Sequence, residues 1–577
     1  MGSLAPPGSR LRSARCGRPE ARSYERHRPE ESVLYAVVQA ELETFLARAH
    51  LRGHPVPRFI EREFRAYLRC GVLAHGFLRL HCDGCGHDRL VPFSCKGRFC
   101  PSCAGRRMAD TAAHLVDRVL PVVPVRQWVL SLPFPLRYRV AYDARLTGEI
   151  LNLFLRTLFA SLRRRARKKW GVRSGQSGAV TFVQRFGSAA ANLHPHFHTL
   201  ALDGVYQIQR NGPPRFHPLP PPDSEEVAQV ATATARRVAR LLETRGLGAE
   251  ADPDESDPLG RDEPLLASLA AASLRGHIAT GPHAGQRLLR LGDRALPEEC
   301  AASGARSEPS CANQDGFSLH ATVAVPARDR RRLERLCRYV ARPPLATERL
   351  TKQDDGRLRY RLKRRWRDGT THIVLKPAAL LERLALSIPP PRFHLVRYHG
   401  ILAPCASWRD HVVPGGPGPA VADRSGAPRV EPEGGCAPAI RDAHRPQGDP
   451  RDESVGRIVS PESQRPPSAE GSPTTLRDDP TQIDPPTPVA GSPSPAPCRQ
   501  RRLSWGELLR RVFAVDAFAC PRCGSRMRLI ATIESEEVIR AILGCLGLPA
   551  RAPPLAPARS EPATGDLDFG NLPIIQR

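Results

Sequence analysis

The feature that most constrains the fold is a stretch with a histidine at every second position, NLHPHFHTL at 192–200. Successive side chains of a β-strand point to opposite faces, so His194, His196 and His198 would line one face together. Same-face neighbours on a strand lie roughly 6.5–7 Å apart, close enough for two imidazoles to share one metal ion. Leu200 and the turn at 203–204 predict a short buried strand. Polar surface histidines are the alternative, which alternation of three disfavours.

The charge balance favours a nucleic-acid partner. The chain has 577 residues, and its 86 Lys and Arg against 59 Asp and Glu give a formal net charge of +27. Such an excess is more typical of proteins that bind nucleic acid than of membrane or small-molecule proteins, although an Arg-rich codon bias would also raise it. We find no apolar run of about 18 residues and no signal-peptide core, so we expect an intracellular protein.

Two CxxC pairs separated by fourteen residues predict a zinc site near the N-terminus. This spacing is typical of a four-thiolate ribbon or finger, and four protein ligands leave no position open for chemistry. The predicted ligands of one structural Zn²⁺ are Cys82, Cys85, Cys100 and Cys103. His87 or Cys95 could replace a thiolate, and Cys70 is a more distant candidate. The basic loop that the pairs enclose would be either a DNA-reading surface or part of a structural clip.

The apolar pattern of residues 328–341 predicts a helix, and Pro343-Pro344 would end it. On a helical wheel its apolar stripe consists of Leu333, Leu336, Cys337 and Val340. Tyr339 falls at the edge of this stripe, in the same sector as Arg332 and Arg335. A tyrosine flanked by guanidinium groups could present its hydroxyl to a phosphate, and an amphipathic boundary residue is the alternative.

The remaining periodicities predict an α+β protein. Helices are predicted at 32–50, 58–68, 105–120, 151–162 and 380–386, and strands at 126–132 and 179–186, the latter antiparallel to the histidine strand. A basic hairpin is expected at 357–376. The composition of 411–500 predicts a Pro-rich disordered linker. Beyond it, Cys520 and Cys523 form half a zinc site, which Cys545, Cys498 or a second chain would complete.

Several stretches together resemble one protein family. They are CKGRFCPSC, QWVLSLPFPLRYR, FVQRFGSAAANLHPHFHTLALDGVY, GFSLHA, LERLCRYVARPPLATERL, VRYHGILAP and VFAVDAFACPRCGSRMR. The His-Phe-His triplet followed by a tyrosine on a later helix resembles the HUH endonucleases. More narrowly, the chain resembles the rolling-circle transposases of the insertion sequence ninety-one type over about 82–206, 316–402 and 505–531.

The resemblance implies a nuclease site on an antiparallel sheet flanked by helices. His196 and His198 would hold Mg²⁺ or Mn²⁺, with Gln184 as the first candidate for a third ligand and His194 as the second. Tyr339 would attack the scissile phosphate and leave a 5′-phosphotyrosine.

Further expectations concern the transition state and the partners. Arg332 and Arg335 would stabilise the charge of the transition state. The substrate would be single-stranded DNA at transposon ends and target, and a homodimer is an option. The protein would be bacterial, cytoplasmic and nucleoid-associated.

The predicted domain organisation is a disordered basic tail at 1–30, a zinc-binding DNA-recognition domain at 31–115, a catalytic domain at 120–402 with a variable insertion at 208–315, the linker at 411–500 and a C-terminal helix with a CxxC segment at 501–577.

One departure from the family pattern concerns its second tyrosine. Founding members carry two tyrosines one helical turn apart, whereas the positions four residues from Tyr339 are Arg335 and Pro343. The chain therefore resembles a single-tyrosine subgroup. The alternatives are a non-catalytic zinc-dependent DNA-binding regulator, a plasmid replication initiator or relaxase with the same chemistry, and a metal hydrolase with another substrate.

Overall fold

The computed structural model describes residues 22–187, 191–209, 212–247, 257–280, 283–292, 310–366, 368–415 and 503–559. The helices in this part of the chain are α1 (Val33–Leu51), α2 (Arg58–Arg69), α3 (Pro101–Arg118), α4 (Phe134–Tyr142), α5 (Ala144–Trp170), α6 (Ser224–Thr244), α7 (Pro258–Asp262), α8 (Pro264–Arg275), α9 (Arg330–Val340), α10 (Pro377–Ser387), α11 (Arg409–Val412), α12 (Trp505–Phe513) and α13 (Glu536–Cys545). The predicted linker lies outside the described residues from position 416 onwards.

The strands over the same ranges are β1 (Arg22–Ser23), β2 (Phe77–His81), β3 (Asp88–Pro92), β4 (Val125–Ser131), β5 (Gly175–Gln176), β6 (Gly178–Phe186), β7 (Leu193–Leu202), β8 (Gly204–Gln207), β9 (Arg215–Pro218), β10 (Leu289–Gly292), β11 (Cys311–Gln314), β12 (Phe317–His320), β13 (Ala324–Val325), β14 (Leu350–Lys352), β15 (Leu358–Arg361), β16 (Thr370–Leu375), β17 (Val396–Gly400), β18 (Val515–Asp516) and β19 (Arg528–Ile533).

A seven-stranded antiparallel sheet holds the histidine strand at its centre. Its order is β11-β12-β4-β7-β6-β17, with β13 also paired to β4. The predicted antiparallel pairing of β6 with β7 is confirmed, and the hydroxyls of Thr181 and Thr199 lie 2.9 Å apart across it. A buried ion pair ties β4 to the end of β7, because Arg126 donates to both carboxylate oxygens of Asp203. The strand that carries the histidines is therefore fixed on both sides.

Helices cover both faces of this sheet, so β7 is buried on both sides. Phe197 and Ala201 pack with α5 and α6, whereas Leu200 and Leu202 pack with α3 and α9. The buried residues of α9 are the predicted stripe, Leu333, Leu336, Cys337 and Val340. Because residues of one strand alternate between faces, the face of His196 and His198 is the one that α9 covers. The expected α+β class, with an antiparallel sheet flanked by helices, is confirmed.

Local sequence signals explain where the long helix α5 starts and stops. At its N-terminus the side chain of Asp143 accepts a hydrogen bond from the backbone N–H of Leu146. At its C-terminus Gly171 adopts a left-handed conformation with φ +66°. These are common N-cap and C-cap devices, and they limit the helix to 144–170.

An N-terminal hairpin and a C-terminal strand meet in a three-stranded sheet of order β19-β2-β3. The predicted disorder of residues 1–30 is wrong from residue 22 onwards: β1 pairs in parallel with β18, and the guanidinium of Arg26 donates to the carbonyl of Gly71 at 2.9 Å. Residues 1–21 lie outside the described part. In the predicted C-terminal segment, α12 is the expected helix, and β18 and β19 pair with the N-terminal strands β1 and β2.

A four-stranded sheet of order β10-β16-β15-β14 contains the predicted basic hairpin. Strands β15 and β16 pair antiparallel, as expected. Leu358 and Tyr360 are buried, and Arg359 and Arg361 are exposed, so one face of β15 presents positive charge. Among the helices that the structure describes, none is both long and apolar enough to cross a membrane.

Candidate functional site

His196 and His198 converge in the centre of the large sheet. Their Nε2 atoms lie 3.0 Å apart, and the two side chains are almost completely buried. Two ligand atoms held at about 2.1 Å from one metal ion, and at right angles to each other, lie about 3.0 Å apart. The spacing therefore fits a shared divalent cation, as the alternation of the histidines predicts.

Hydrogen bonds to the Nδ1 atoms orient both rings. His196 Nδ1 lies 2.7 Å from the carbonyl oxygen of His194, so this nitrogen carries a proton and its Nε2 presents a lone pair. His198 Nδ1 lies 2.7 Å from the side-chain amide nitrogen of Gln127 on β4, an atom that can only donate. For His198 Nε2 to present a lone pair as well, the amide oxygen of Gln127 would accept from Nδ1–H, which a rotation of the amide by half a turn provides. Gln127 thus sets the protonation of His198.

Burial keeps the histidines uncharged. It lowers the pKa of His194 to about 4, with a further contribution from the charge of Arg137. It lowers the pKa of His196 to about 3 and that of His198 well below its ordinary value, and the charge of Arg342 contributes to both. Neutral imidazole is the form that binds metals, so these side chains are prepared as ligands at neutral pH.

Gln184 lies directly opposite His196 in the β6–β7 register and is 5% exposed. Its amide nitrogen donates to the carbonyl of Val340, at the end of α9, over 2.6 Å. Its Oε1 is buried and has no hydrogen-bond partner among the described residues. An unpaired buried oxygen beside two imidazoles fits a third ligand of the kind that Mg²⁺ or Mn²⁺ accepts. His194, the second candidate, is less buried, and its Nδ1 lies 3.4 Å from that of His196.

Tyr339 of α9 lies beside this cluster. Its ring centroid is 6.0 Å from that of His198, with the ring planes nearly perpendicular, and 41% of the residue is exposed. The guanidinium carbon of Arg342 is 4.5 Å from the centroid of the tyrosine ring, and Lys363 Nζ is 4.9 Å from it. The structure therefore brings the predicted strand and the predicted helix together, and places two cations over the ring.

The two arginines predicted beside Tyr339 occupy a different environment. Arg335 precedes Tyr339 by one helical turn and Arg332 by about two, and both are exposed on α9. The cations that the structure places over the ring are Arg342 and Lys363 instead. The catalytic role predicted for Arg332 and Arg335 is untested, and the contacts with the ring favour Arg342 and Lys363 in their place.

Sequence reasoning missed four residues of this site, namely Gln127, Arg137, Arg342 and Lys363. Three of them stand inside stretches that carry the family resemblance, QWVLSLPFPLRYR and RYVARPP. Their position in these stretches is the sequence signal that could have identified them. Lys363 follows the basic strand β15, and only the tertiary structure brings it to Tyr339.

One cysteine cluster is local and buried. Its members are Cys70, Cys95, Cys100 and Cys103. The Sγ atom of Cys70 lies 3.6 Å from that of Cys100 and 3.7 Å from that of Cys103. Sulfurs bound tetrahedrally to one Zn²⁺ at about 2.3 Å are about 3.8 Å apart. The cluster packs against α1 and α2, which places it inside a hydrophobic core.

A second cluster joins distant parts of the chain. It combines Cys82 and Cys85 with Cys520 and Cys523, and all four ligand atoms lie within 4.8 Å of one another. The prediction that Cys82, Cys85, Cys100 and Cys103 bind one zinc ion together is therefore wrong, because the first two belong to one cluster and the last two to the other. Cys82 and Cys85 lie in the turn between β2 and β3, and β3 then leads the chain away to Cys100 and Cys103, so each pair meets other partners. Among the described residues the C-terminal pair therefore meets Cys82 and Cys85 and not Cys545, whereas Cys498 lies outside the described residues.

Two family models match this chain. One, described as "Putative transposase", matches residues 178–409, and the other, described as "Transposase zinc-binding domain" and of the IS91 type, matches residues 37–132. Together they cover 328 of the 577 residues. The chain belongs to the IS91-type transposases. A curated protein of Pseudomonas savastanoi pv. phaseolicola, "Transposase for insertion sequence element IS801", is 25% identical over 364 residues, which are 62% of this chain and 73% of that protein. No solved structure matches.

The two family models match different candidate residues of this transposase. The transposase model spans the two histidines, Gln184 and Tyr339, and the zinc-binding model spans the whole local cysteine cluster. The zinc-binding model also includes Cys82 and Cys85 but ends long before Cys520. Zinc-binding domain and thiolate clusters together support structural Zn²⁺ at the N-terminus.

The basic loop of this zinc-binding domain serves two purposes. The guanidinium of Arg89 donates to the carbonyls of Ala517 and Ala519 at 2.9 and 3.2 Å. This residue therefore joins β3 to the C-terminal segment. Lys96 and Arg98 are exposed. Arg98 also lines a cavity of about 130 Å³ that reaches Gln184. The loop before Cys100 therefore brings positive charge to a cavity that Gln184 also lines.

Proposed function

We propose that this transposase cleaves one strand of DNA at the ends of its element with Tyr339 as nucleophile, and transfers that strand in rolling-circle transposition. The observation that carries the proposal is the position of the Tyr339 ring, 6.0 Å from the ring of His198, whose Nε2 is paired with that of His196. A nucleophile beside a pair of neutral metal-binding imidazoles is suited to phosphoryl transfer.

His196, His198 and Gln184 would hold Mg²⁺ or Mn²⁺. A bound divalent cation would supply Lewis-acid polarisation of a non-bridging oxygen of the scissile phosphate. The protein orients the ligands itself, since the His194 carbonyl and the Gln127 amide fix the two rings.

The chemical step exchanges one phosphate ester for another. The Oη atom of Tyr339 forms a bond to phosphorus and loses its proton, while the bond from phosphorus to the 3′ oxygen breaks. The departing 3′ oxygen takes up a proton and becomes a free 3′-hydroxyl. The 5′-phosphotyrosine keeps the energy of the ester bond for strand transfer, so the reaction needs no ATP.

Two cations assist the phenol. Arg342 and Lys363 lie over the ring of Tyr339, at 4.5 and 4.9 Å from its centroid. The same charges would attract the phosphate that approaches the hydroxyl. The partial exposure of Tyr339 leaves room for this approach.

The substrate that fits this site is single-stranded DNA. An unpaired strand can follow the exposed basic side chains of Arg359, Arg361 and Lys363 to Tyr339. In the same region Trp366 lies under the guanidinium of Arg290, at 5.1 Å, and would be available for stacking. A double helix would have to be opened first.

One tyrosine can carry one DNA end at a time. Arg335 and Pro343 occupy the positions one turn from Tyr339, so no second tyrosine is presented from α9. Processing of both element ends therefore needs two successive rounds or a second copy of the chain, and we propose a homodimer for the second route.

The decisive experiment uses labelled single strands from both ends of the element, with Mn²⁺ or Mg²⁺. We expect the wild-type chain to cleave them and to form a covalent adduct that survives SDS, and we expect Tyr339→Phe to form none. Tyr360→Phe is the matched control, because this tyrosine is buried in β15 and should leave the adduct intact. An adduct that persists in Tyr339→Phe would refute the assignment, and absence of cleavage by the wild type would favour a DNA-binding regulator.

A further inference from the structure

The second cysteine cluster is built from two parts of the chain that are far apart in sequence. Cys82 Sγ lies 3.5 Å from Cys523 Sγ, and Cys85 Sγ lies 3.5 Å from Cys520 Sγ, across 441 and 435 positions of sequence. Each pair is a CxxC turn, which directs two sulfurs towards one point. The sulfurs are too far apart for disulfide bonds, in which they would be about 2.05 Å from each other. Four thiolates at this spacing form a closed tetrahedral ligand set.

The surrounding contacts show that this meeting is extensive. Strand β19 pairs antiparallel with β2, from Arg528 opposite His81 to Ile533 opposite Phe77. A small hydrophobic core of Leu80, Cys82, Val91, Cys520 and Met527 lies beneath the cluster. A second small core joins Leu73 and Phe77 to Ile539 and Leu543 of α13.

We propose that this cluster is a second structural zinc site, and that residues 503–559 are an integral part of a zinc-binding module, which they form together with the zinc-binding domain at 37–132. The zinc ion would fasten the C-terminal segment to the β2–β3 hairpin, so the module is assembled from two parts of the chain that lie on either side of the catalytic region. This proposal concerns metal binding and assembly, and it stands whether or not Tyr339 is the nucleophile.

The docked segment also reaches the helix that carries Tyr339. Arg511 of α12 donates to Asp117 of α3 at 3.1 Å and to Glu334 of α9 at 3.0 Å. Glu334 in turn accepts from Arg338, next to Tyr339. The second zinc site therefore holds a segment that braces α9 from outside.

The test measures zinc content and thiol protection in the full-length chain. We expect about two zinc ions per wild-type chain, and about one in Cys82→Ser/Cys85→Ser and in Cys520→Ser/Cys523→Ser. Zinc-bound thiolates resist alkylation. In Cys82→Ser/Cys85→Ser, therefore, Cys520 and Cys523 should become alkylated while the local cluster stays protected. The reciprocal variant should expose Cys82 and Cys85. Cys545→Ser is the control and should keep both ions, since this exposed cysteine belongs to neither cluster.

Three results would overturn the proposal. The first is one zinc per wild-type chain together with free alkylation of Cys520 and Cys523. The second is continued protection of that pair after Cys82 and Cys85 have been replaced. The third is protection that survives a chelator and yields only to a reductant, which would identify disulfides. If a double variant precipitates, the wild-type chain still decides, because chelator titration followed by alkylation shows which thiols each released ion had protected.

Discussion

The histidine cluster and the two cysteine clusters differ in how completely the protein surrounds a metal. Each cysteine cluster offers four thiolates, which fill a tetrahedral zinc site and leave no position for a substrate. The histidine cluster offers two imidazole nitrogens and one amide oxygen, next to a partly exposed tyrosine. A divalent cation with octahedral preference would keep open positions there. Closed ligand sets suit a structural role, and the open one suits chemistry.

The clusters also differ in how they are assembled. The two histidines stand on one strand, and Gln184 lies on the strand hydrogen-bonded to it, so secondary structure alone builds most of the site. The second cysteine cluster depends on the docking of a segment more than 430 positions away. Local assembly therefore gives the proposed catalytic site a rigid frame, and the proposed second zinc site depends on long-range assembly.

The largest effect is expected from removing a ligand of the open site. His196→Ala or His198→Ala should reduce strand cleavage roughly 1000-fold, because loss of Lewis-acid stabilisation costs several kcal/mol at the transition state. The zinc content should stay at the wild-type value, since the thiolate clusters are untouched. Cleavage rates with Mn²⁺ and elemental analysis of the same preparation check both statements. Loss of zinc in these variants would contradict the separation of the two kinds of site.

The sequence predicts those parts of the metal sites whose contacts join residues close together in the sequence. Alternation of His194, His196 and His198 predicts a shared face because strand geometry is local, and the stripe of α9 predicts its buried face for the same reason. The partners of each CxxC pair are not local. Spacing alone favoured one site with Cys82 and Cys100 together, whereas the fold of the β2–β3 hairpin separates them.

The same reasoning explains why the charged surroundings of Tyr339 escaped prediction. Helical periodicity finds Arg332 and Arg335, since they share the sector of Tyr339 on α9. It cannot find Lys363, which a separate sheet brings to the ring, or Arg342, which lies beyond the end of the helix. Residues that approach from other elements are visible only in the tertiary structure.

A smaller effect should follow from changing the orientation of a ligand without removing it. Gln127→Leu removes the hydrogen bond to His198 Nδ1, and loss of a residue that orients a metal ligand typically costs about 10- to 100-fold in metal affinity or activity. The loss should appear mainly as a higher Mn²⁺ concentration for half-maximal cleavage. Gln127→Glu should restore activity, because its carboxylate accepts from Nδ1–H and thereby fixes the tautomer with a free Nε2. If Leu and Glu variants behave alike, Gln127 has a packing role only.

The smallest effect distinguishes cations that contact Tyr339 from cations that merely share its helix face. Arg342→Ala should slow adduct formation about tenfold, because the guanidinium beside the nucleophile would stabilise the charge that develops on the phosphate, and the loss of about 1.4 kcal/mol at the transition state is a tenfold loss in rate. Arg335→Ala removes the same charge one turn away, where the side chain is exposed, and should change the rate less than about twofold. Single-turnover rates at saturating Mn²⁺ compare the two variants, and melting temperatures show whether both are folded. Arg342→Lys should recover part of the rate, since it retains the charge but not the planar guanidinium. Equal losses in Arg342→Ala and Arg335→Ala would show that general positive charge along α9, rather than contact with the ring, assists the nucleophile.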